Sequence, residues 1–175
     1  KPQPVTDWIL LGPFETGITD PGPSGITRFG YLTDYLVSTG GEAQAELSAP
    51  TTVRYQKRNG SARVVEARHI APYLEDSLRS EFIHILHDTH ILERDFDRAV
   101  GYAFCYLQSD RVQDVYAYLG TDGSPKVWCN GNLVFEHWSD FSKTKPWQYG
   151  FRVSLKKGLN PLLVKAETGG NPPYC

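Results

Sequence analysis

Between His137 and Tyr149 the chain sets Trp138, Phe141, Trp147 and Tyr149 beside Asp140 and Gln148 in an otherwise polar stretch. Sugar rings present apolar CH faces on which aromatic side chains stack, while Asp, Asn and Gln take the hydroxyls by hydrogen bonds. Residues of these types, this closely spaced, suit a carbohydrate. Asp122 and Asn130 flank the neighbouring turns and are the natural polar partners. The candidate binding set is therefore Trp138, Trp147, Tyr149, Asp122, Asn130 and Asp140. The same tryptophans equally suit a loop clamped onto its own domain, because large aromatic residues most often pack. Their burial decides between the two readings.

Other chemistry finds less support. The sequence contains no Gly-rich phosphate loop, no GxSxG, no HExxH and no CxxC. Glu42, Asp122, Glu136 and Asp140 are available as a glycosidase pair, but any domain with 20 acidic residues supplies such pairs. His84, His87 and His90 lie within Phe82 to Leu92. On a strand His87 faces away from the other two, which stand roughly 20 Å apart. On a helix the three spread over about 120°, which also suits a shared ion poorly.

These residues need elements to position them. Val115 to Leu119 is β-favouring, Thr121 to Pro125 is a turn, and Lys126 to Cys129 resumes the strand. Asn130-Gly131 suits a type I′ turn, so Leu133 to Glu136 is expected to fold back on Lys126 to Cys129. The three strands are expected to lie side by side as a meander. Upstream, Trp8 to Leu11 reads as a strand that Gly12-Pro13 ends, because proline cannot continue a ladder. Leu32, Tyr35 and Leu36 have helical spacing, closed by Gly40-Gly41, which predicts one or two helical turns near 31–38. Thr51 to Lys57 and Ala62 to Ala67 flank Arg58-Asn59-Gly60-Ser61, a second hairpin signal. Val100 to Leu107 alternates as a core strand. Tyr149 to Leu155 and Leu162 to Ala166 are the last strands, joined by 156–160. Turn spacing predicts about ten strands.

Composition sets limits. At 175 residues, 40% hydrophobic and 13% aromatic, the chain fits one folded domain with its own core. With 18 basic and 20 acidic residues the net charge is −2, and no basic run appears, which argues against nucleic acid as a partner. No apolar stretch approaches the ~20 residues of a membrane helix. The chain starts without Met, contains none, and is read as a mature or excised part of a longer exported product. Cys105, Cys129 and Cys175 are too few for a disulfide framework. Cys105 and Cys129 either pair across the core or remain two buried thiols.

LGTDGSPKVWCNGNLVFEHW, with the downstream VSLKKGLNPLLVKAETGG, resembles the galactose-binding-like, jelly-roll modules appended to bacterial surface and secreted proteins, many of them polysaccharide-degrading. The opening DWILLGPFE and the FGYLTDYLVSTGGE of Phe29 to Glu42 look like the start of such modules. A weaker likeness joins Asp122, Trp128, Asn130-Gly131 and Trp138 to the sugar-binding module named after anthrax protective antigen. The resemblance implies a β-sandwich, an extracellular or cell-surface setting and a glycan ligand. It also implies a structural calcium, for which Asp34 and Glu42 are the oxygen donors on offer; a helix cap and a solvated acid explain the same two residues. Where relatives carry consecutive aspartates this chain has Asp122-Gly123, so no paired-carboxylate ion site is carried over there.

The expectation is a single all-β, jelly-roll-like sandwich spanning 1–175 with one short helix; at its C-terminal end either the sequence stops before a last strand or the domain leaves an open sheet edge. Its first functional reading is a non-catalytic accessory module that binds polysaccharide and requires no cofactor, the structural calcium being an addition that the resemblance implies. The alternative is an assembly module, such as a filament or surface-layer subunit, that offers an open sheet edge to neighbouring domains or other copies.

Overall fold

The computed structural model describes residues 5, 7–16, 29–48, 51–57, 60–70, 99–121, 123–138 and 147–168. The histidine segment 82–92, Asp122, Asp140 and Phe141 lie outside them, as does Cys175. Ten strands are described: β1 (Trp8–Glu15), β2 (Thr52–Gln56), β3 (Ala62–Glu66), β4 (Arg68–Ile70), β5 (Ala99–Ser109), β6 (Gln113–Leu119), β7 (Ser124–Cys129), β8 (Asn132–Glu136), β9 (Tyr149–Leu155) and β10 (Gly158–Thr168). A four-residue helix, α1 (Phe29–Leu32), and 3-10 turns at Val37–Thr39 and Glu42–Gln44 complete the list. The fold is an all-β sandwich with one short helix.

Its centre is a six-stranded sheet in the order β4-β1-β5-β10-β7-β8, and every pairing in it is antiparallel. Both faces are covered, so the central strands β5 and β7 bury consecutive residues rather than alternate ones. On one face Leu11, Phe14, Val100, Tyr102, Phe104, Trp128 and Leu163 meet Val53 and Tyr55 of β2, Val65 of β3, and Tyr35, Leu36 and Leu47 of the 29–48 segment. On the other, Leu10, Ala103, Cys105, Val127, Leu162 and Val164 meet Val115, Ala117 and Leu119 of β6 and Phe151, Val153 and Leu155 of β9. β6 and β9 pair with each other as a separate ribbon over this second face.

Several expectations hold. The β7–β8 hairpin turns at Asn130-Gly131 with φ of 51° and 80°, the positive pair a type I′ turn requires. A Cβ on Gly131 would also stand 2.8 Å from the Ala43 carbonyl oxygen, so this hairpin tip admits only glycine. β2 and β3 pair across the turn before Ser61. Gly40 and Gly41 close the turn at 36–39 by donating to Val37 and Leu36 carbonyls.

Others are corrected. β6 does not join β7 in a meander; it pairs with β9 in the outer ribbon. The reason lies in burial: β6 alternates half-buried and exposed residues, whereas β7 is buried on both sides. A strand with one wet face belongs to an outer layer, so β6 and β7 lie in different layers. β1 continues through Gly12-Pro13 to Glu15, because a register shift between Leu11 and Phe14 takes the proline out of the ladder. The short helix is present and spans 29–32, ending on Leu32, while Tyr35 and Leu36 precede the 3-10 turn at 37–39. Cys105 and Cys129 are separate, buried thiols. Both stand opposite Leu162, from the strands on either side of it, which puts them two strand spacings or about 10 Å apart, beyond disulfide reach. Burial pushes the Cys105 thiol up to about 12. β10, the last strand described, lies inside the sheet between β5 and β7.

Candidate functional site

The residues named from sequence do not share one surface. Trp138 is half-buried and sets its ring edge-on to Tyr31, centroids 5.3 Å apart. Tyr31 in turn donates through its hydroxyl to Glu136 at 3.1 Å, with the Lys126 ammonium 4.4 Å from its ring. Trp138 is thus a clamp joining the end of β8 to α1. Tyr149 turns inward, its ring 5.4 Å from Phe135 and 4.8 Å from His137. Asn130 spends its amide on Asn160 at 2.8 Å. Asn160 is fully buried and also holds the β9–β10 turn through Lys156 and Gly158 carbonyls, so this pair serves two turns rather than a ligand.

Trp147 behaves differently. Its side chain is 53% exposed, and its φ of 56° is one that bulky residues rarely adopt. The next residue, Gln148, accepts from the Thr121 backbone at 3.3 Å and donates to the Tyr149 hydroxyl at 3.1 Å. These bonds fix the start of β9 against the end of β6, and Trp147 projects from that junction.

The outer face of the same ribbon carries aromatic residues that sequence reasoning passed over. On β6 the inward residues Val115, Ala117 and Leu119 alternate with outward Asp114, Tyr116 and Tyr118. Tyr116 is 73% and Tyr118 49% exposed. Their partners across the ribbon are Arg152 and Gly150. The absence of a side chain at Gly150 lets the Tyr118 ring lie over its backbone, where a Cβ would stand 3.2 Å from ring carbon Cε1. Arg152 pairs with Asp114, and Ser154 donates to the other Asp114 oxygen at 2.6 Å. The Arg152 and Ser154 bonds hold the Asp114 carboxyl below its usual range. The result is two tyrosines beside a charged, hydrogen-bonding row on one sheet face. The signal in sequence was the i, i+2 spacing of Asp114, Tyr116 and Tyr118 against three aliphatic residues.

Asp34 and Glu42 do come together. Asp34 Oδ1 accepts from the Leu36 backbone at 2.8 Å and Oδ2 from the Glu42 backbone at 3.0 Å. Glu42 Oε1 accepts from the Tyr102 hydroxyl at 2.6 Å and from the Lys165 ammonium at 2.7 Å. Among the described residues no group of three or more His, Cys, Asp or Glu gathers as a metal set. An open cleft of about 430 Å3 borders this region, lined by Glu15, Thr33, Asp34, Tyr35, Arg54 and Gln56. Its carboxylates are engaged, Glu15 by Lys57 at 2.6 Å and Asp34 by the backbone. No helix among the described residues is long and apolar enough to cross a membrane.

Compared with protein families, curated proteins and solved structures, the chain matches none. The class that the fold defines is the all-β sandwich, and its outer β6–β9 face exposes Tyr116 and Tyr118.

Proposed function

We propose that this chain is a non-catalytic module that binds polysaccharide on the outer face of the β6–β9 ribbon, in the setting of an exported, cell-surface or extracellular protein. The carrying observation is the exposure of Tyr116 and Tyr118 on adjacent outward positions, beside the Asp114, Arg152 and Ser154 row. Two residues along a strand span about 6.7 Å, so the rings form a strip suited to successive sugars of one chain. Exposed aromatic rings offer stacking area at small cost in conformational entropy, because tyrosine orders only two torsions. Trp147, also exposed, sits just ahead of β9 at the end of the ribbon and is the third aromatic residue of the proposed site. The resemblance to galactose-binding-like modules supports the same ligand class, and the engaged carboxylates of the cleft favour binding over hydrolysis.

Affinity electrophoresis in gels cast with a panel of soluble polysaccharides tests this reading. At least one polymer should retard the protein, and Tyr116→Ala, Tyr118→Ala and Trp147→Ala should each reduce the retardation about tenfold or more. Trp138→Ala should leave retardation intact in whatever fraction remains folded. Retention that survives all three outer substitutions would overturn the assignment.

A further inference from the structure

Lys165 lies in β10 with its side chain 1% exposed. Its ammonium donates to the Thr33 carbonyl at 2.6 Å, the Glu42 carboxylate at 2.7 Å and the Tyr31 carbonyl at 3.2 Å. Three oxygens from a segment more than 120 positions away thus converge on one cation. The rings of Tyr35 and Tyr102 stand 5.8 and 5.7 Å from it and complete the enclosure. Two backbone carbonyls plus one carboxylate, drawn from α1 and the segment that follows it, make a donor set of the kind that hard cations take from proteins. An ammonium satisfies the same set with its three N–H donors.

We infer that Lys165 is the resident cation of an oxygen site formed by 31–42, standing where the resemblance implies calcium. The Asp34 oxygens are spent on backbone N–H groups, and Glu42 Oε1 on Tyr102 and Lys165. A divalent ion would have to displace these donors and would face the ammonium at contact distance. The tethered cation instead seats α1 and the 33–42 loop on the central sheet. It follows that truncating Lys165 leaves a cage able to take a small cation from solution, of the primary alkylammonium class first.

Thermal unfolding of Lys165→Ala tests this. The variant should lose about 10 °C in Tm, and methylammonium chloride should recover part of that loss. Tetramethylammonium chloride at equal ionic strength should not, because it has no N–H to donate. An equal response to both salts overturns the inference. Wild-type protein supplies a second reading should the variant not fold. Its Tm should be unchanged by calcium or by a chelator, and the Lys165 ammonium protons should exchange slowly with water in nitrogen-15 spectra. A one-to-one calcium site that raises the wild-type Tm and vanishes in Asp34→Asn, or ammonium protons in fast exchange, would overturn it. Neither result bears on polysaccharide retention by the opposite ribbon.

Discussion

The two faces of the central sheet are covered by different physics. Under β6–β9 the contact is built mainly from apolar side chains, Leu10, Ala103, Val127, Leu162, Val164 and the inward aliphatic residues of the ribbon, with a Gln113–Ser109 hydrogen bond at one end. Under β2–β3 and the 29–48 segment an aromatic core of Phe14, Tyr35, Tyr55 and Tyr102 surrounds a buried charged group. Apolar burial is non-directional, so it holds a regular ribbon whose hydrogen bonds are already made between strands. A loop has backbone groups left over, and those of Tyr31 and Thr33 find the Lys165 ammonium. The polar face therefore fixes one conformation of an irregular segment, and the apolar face presents a flat strip to solvent.

A pair of shape-conserving substitutions breaks this comparison most sharply. Glu42→Gln keeps volume but leaves Lys165 buried without its counter-charge, and should cost about 3–5 kcal/mol in urea unfolding. Leu162→Met on the apolar face should cost less than about 1.5 kcal/mol. Equal losses would mean that the two faces are held alike.

Alkaline titration sharpens the same contrast at smaller amplitude. Burial, first among the causes, raises the pKa of Tyr35, Tyr55 and Tyr102, all on the aromatic face; for Tyr35 and Tyr102 nearby carboxylates add to it. The folded protein then keeps protons that the unfolded chain releases above about pH 10, so stability should fall as pH rises past that value. Urea midpoints measured at rising pH should drop there, and Tyr102→Phe should blunt the drop. A midpoint flat through this range would contradict the burial of these hydroxyls. The smallest effect is expected on the outer strip, where Tyr116→Ala should change stability by no more than about 0.5 kcal/mol.

Much of the fold was legible because its signals are local. Asn130-Gly131 announced its own turn, and the apolar run Val100 to Leu107 announced a core strand, although that strand is buried on both faces where alternation was expected, since both signals depend on neighbours in sequence. The partner of β6 was not legible. Short sequence separation pointed to β7, whereas one wet face placed β6 in the outer layer with β9. The Lys165 cluster was invisible for a related reason, as a lysine in the run LLVKAE reads as solvent-facing until a loop 123 positions away covers it. Cysteine pairing could not be judged before Leu162 was known to separate the two strands. For the proposed binding strip, aromatic density drew attention to the 137–149 loop, yet Trp138 and Tyr149 turned inward to Tyr31 and Phe135. The exposed rings lay instead in a β-favouring run, where tyrosine counts as strand propensity and as ligand surface alike.

The account rests most on the outer ribbon as the ligand surface, and amide chemical-shift mapping during titration with a retarding polysaccharide tests that directly. Shifts concentrated at Tyr116, Tyr118, Gly150 and Arg152 are the predicted result. Shifts gathered around Arg54, Gln56 and Ser38 at the open cleft, with the ribbon unmoved, would contradict it.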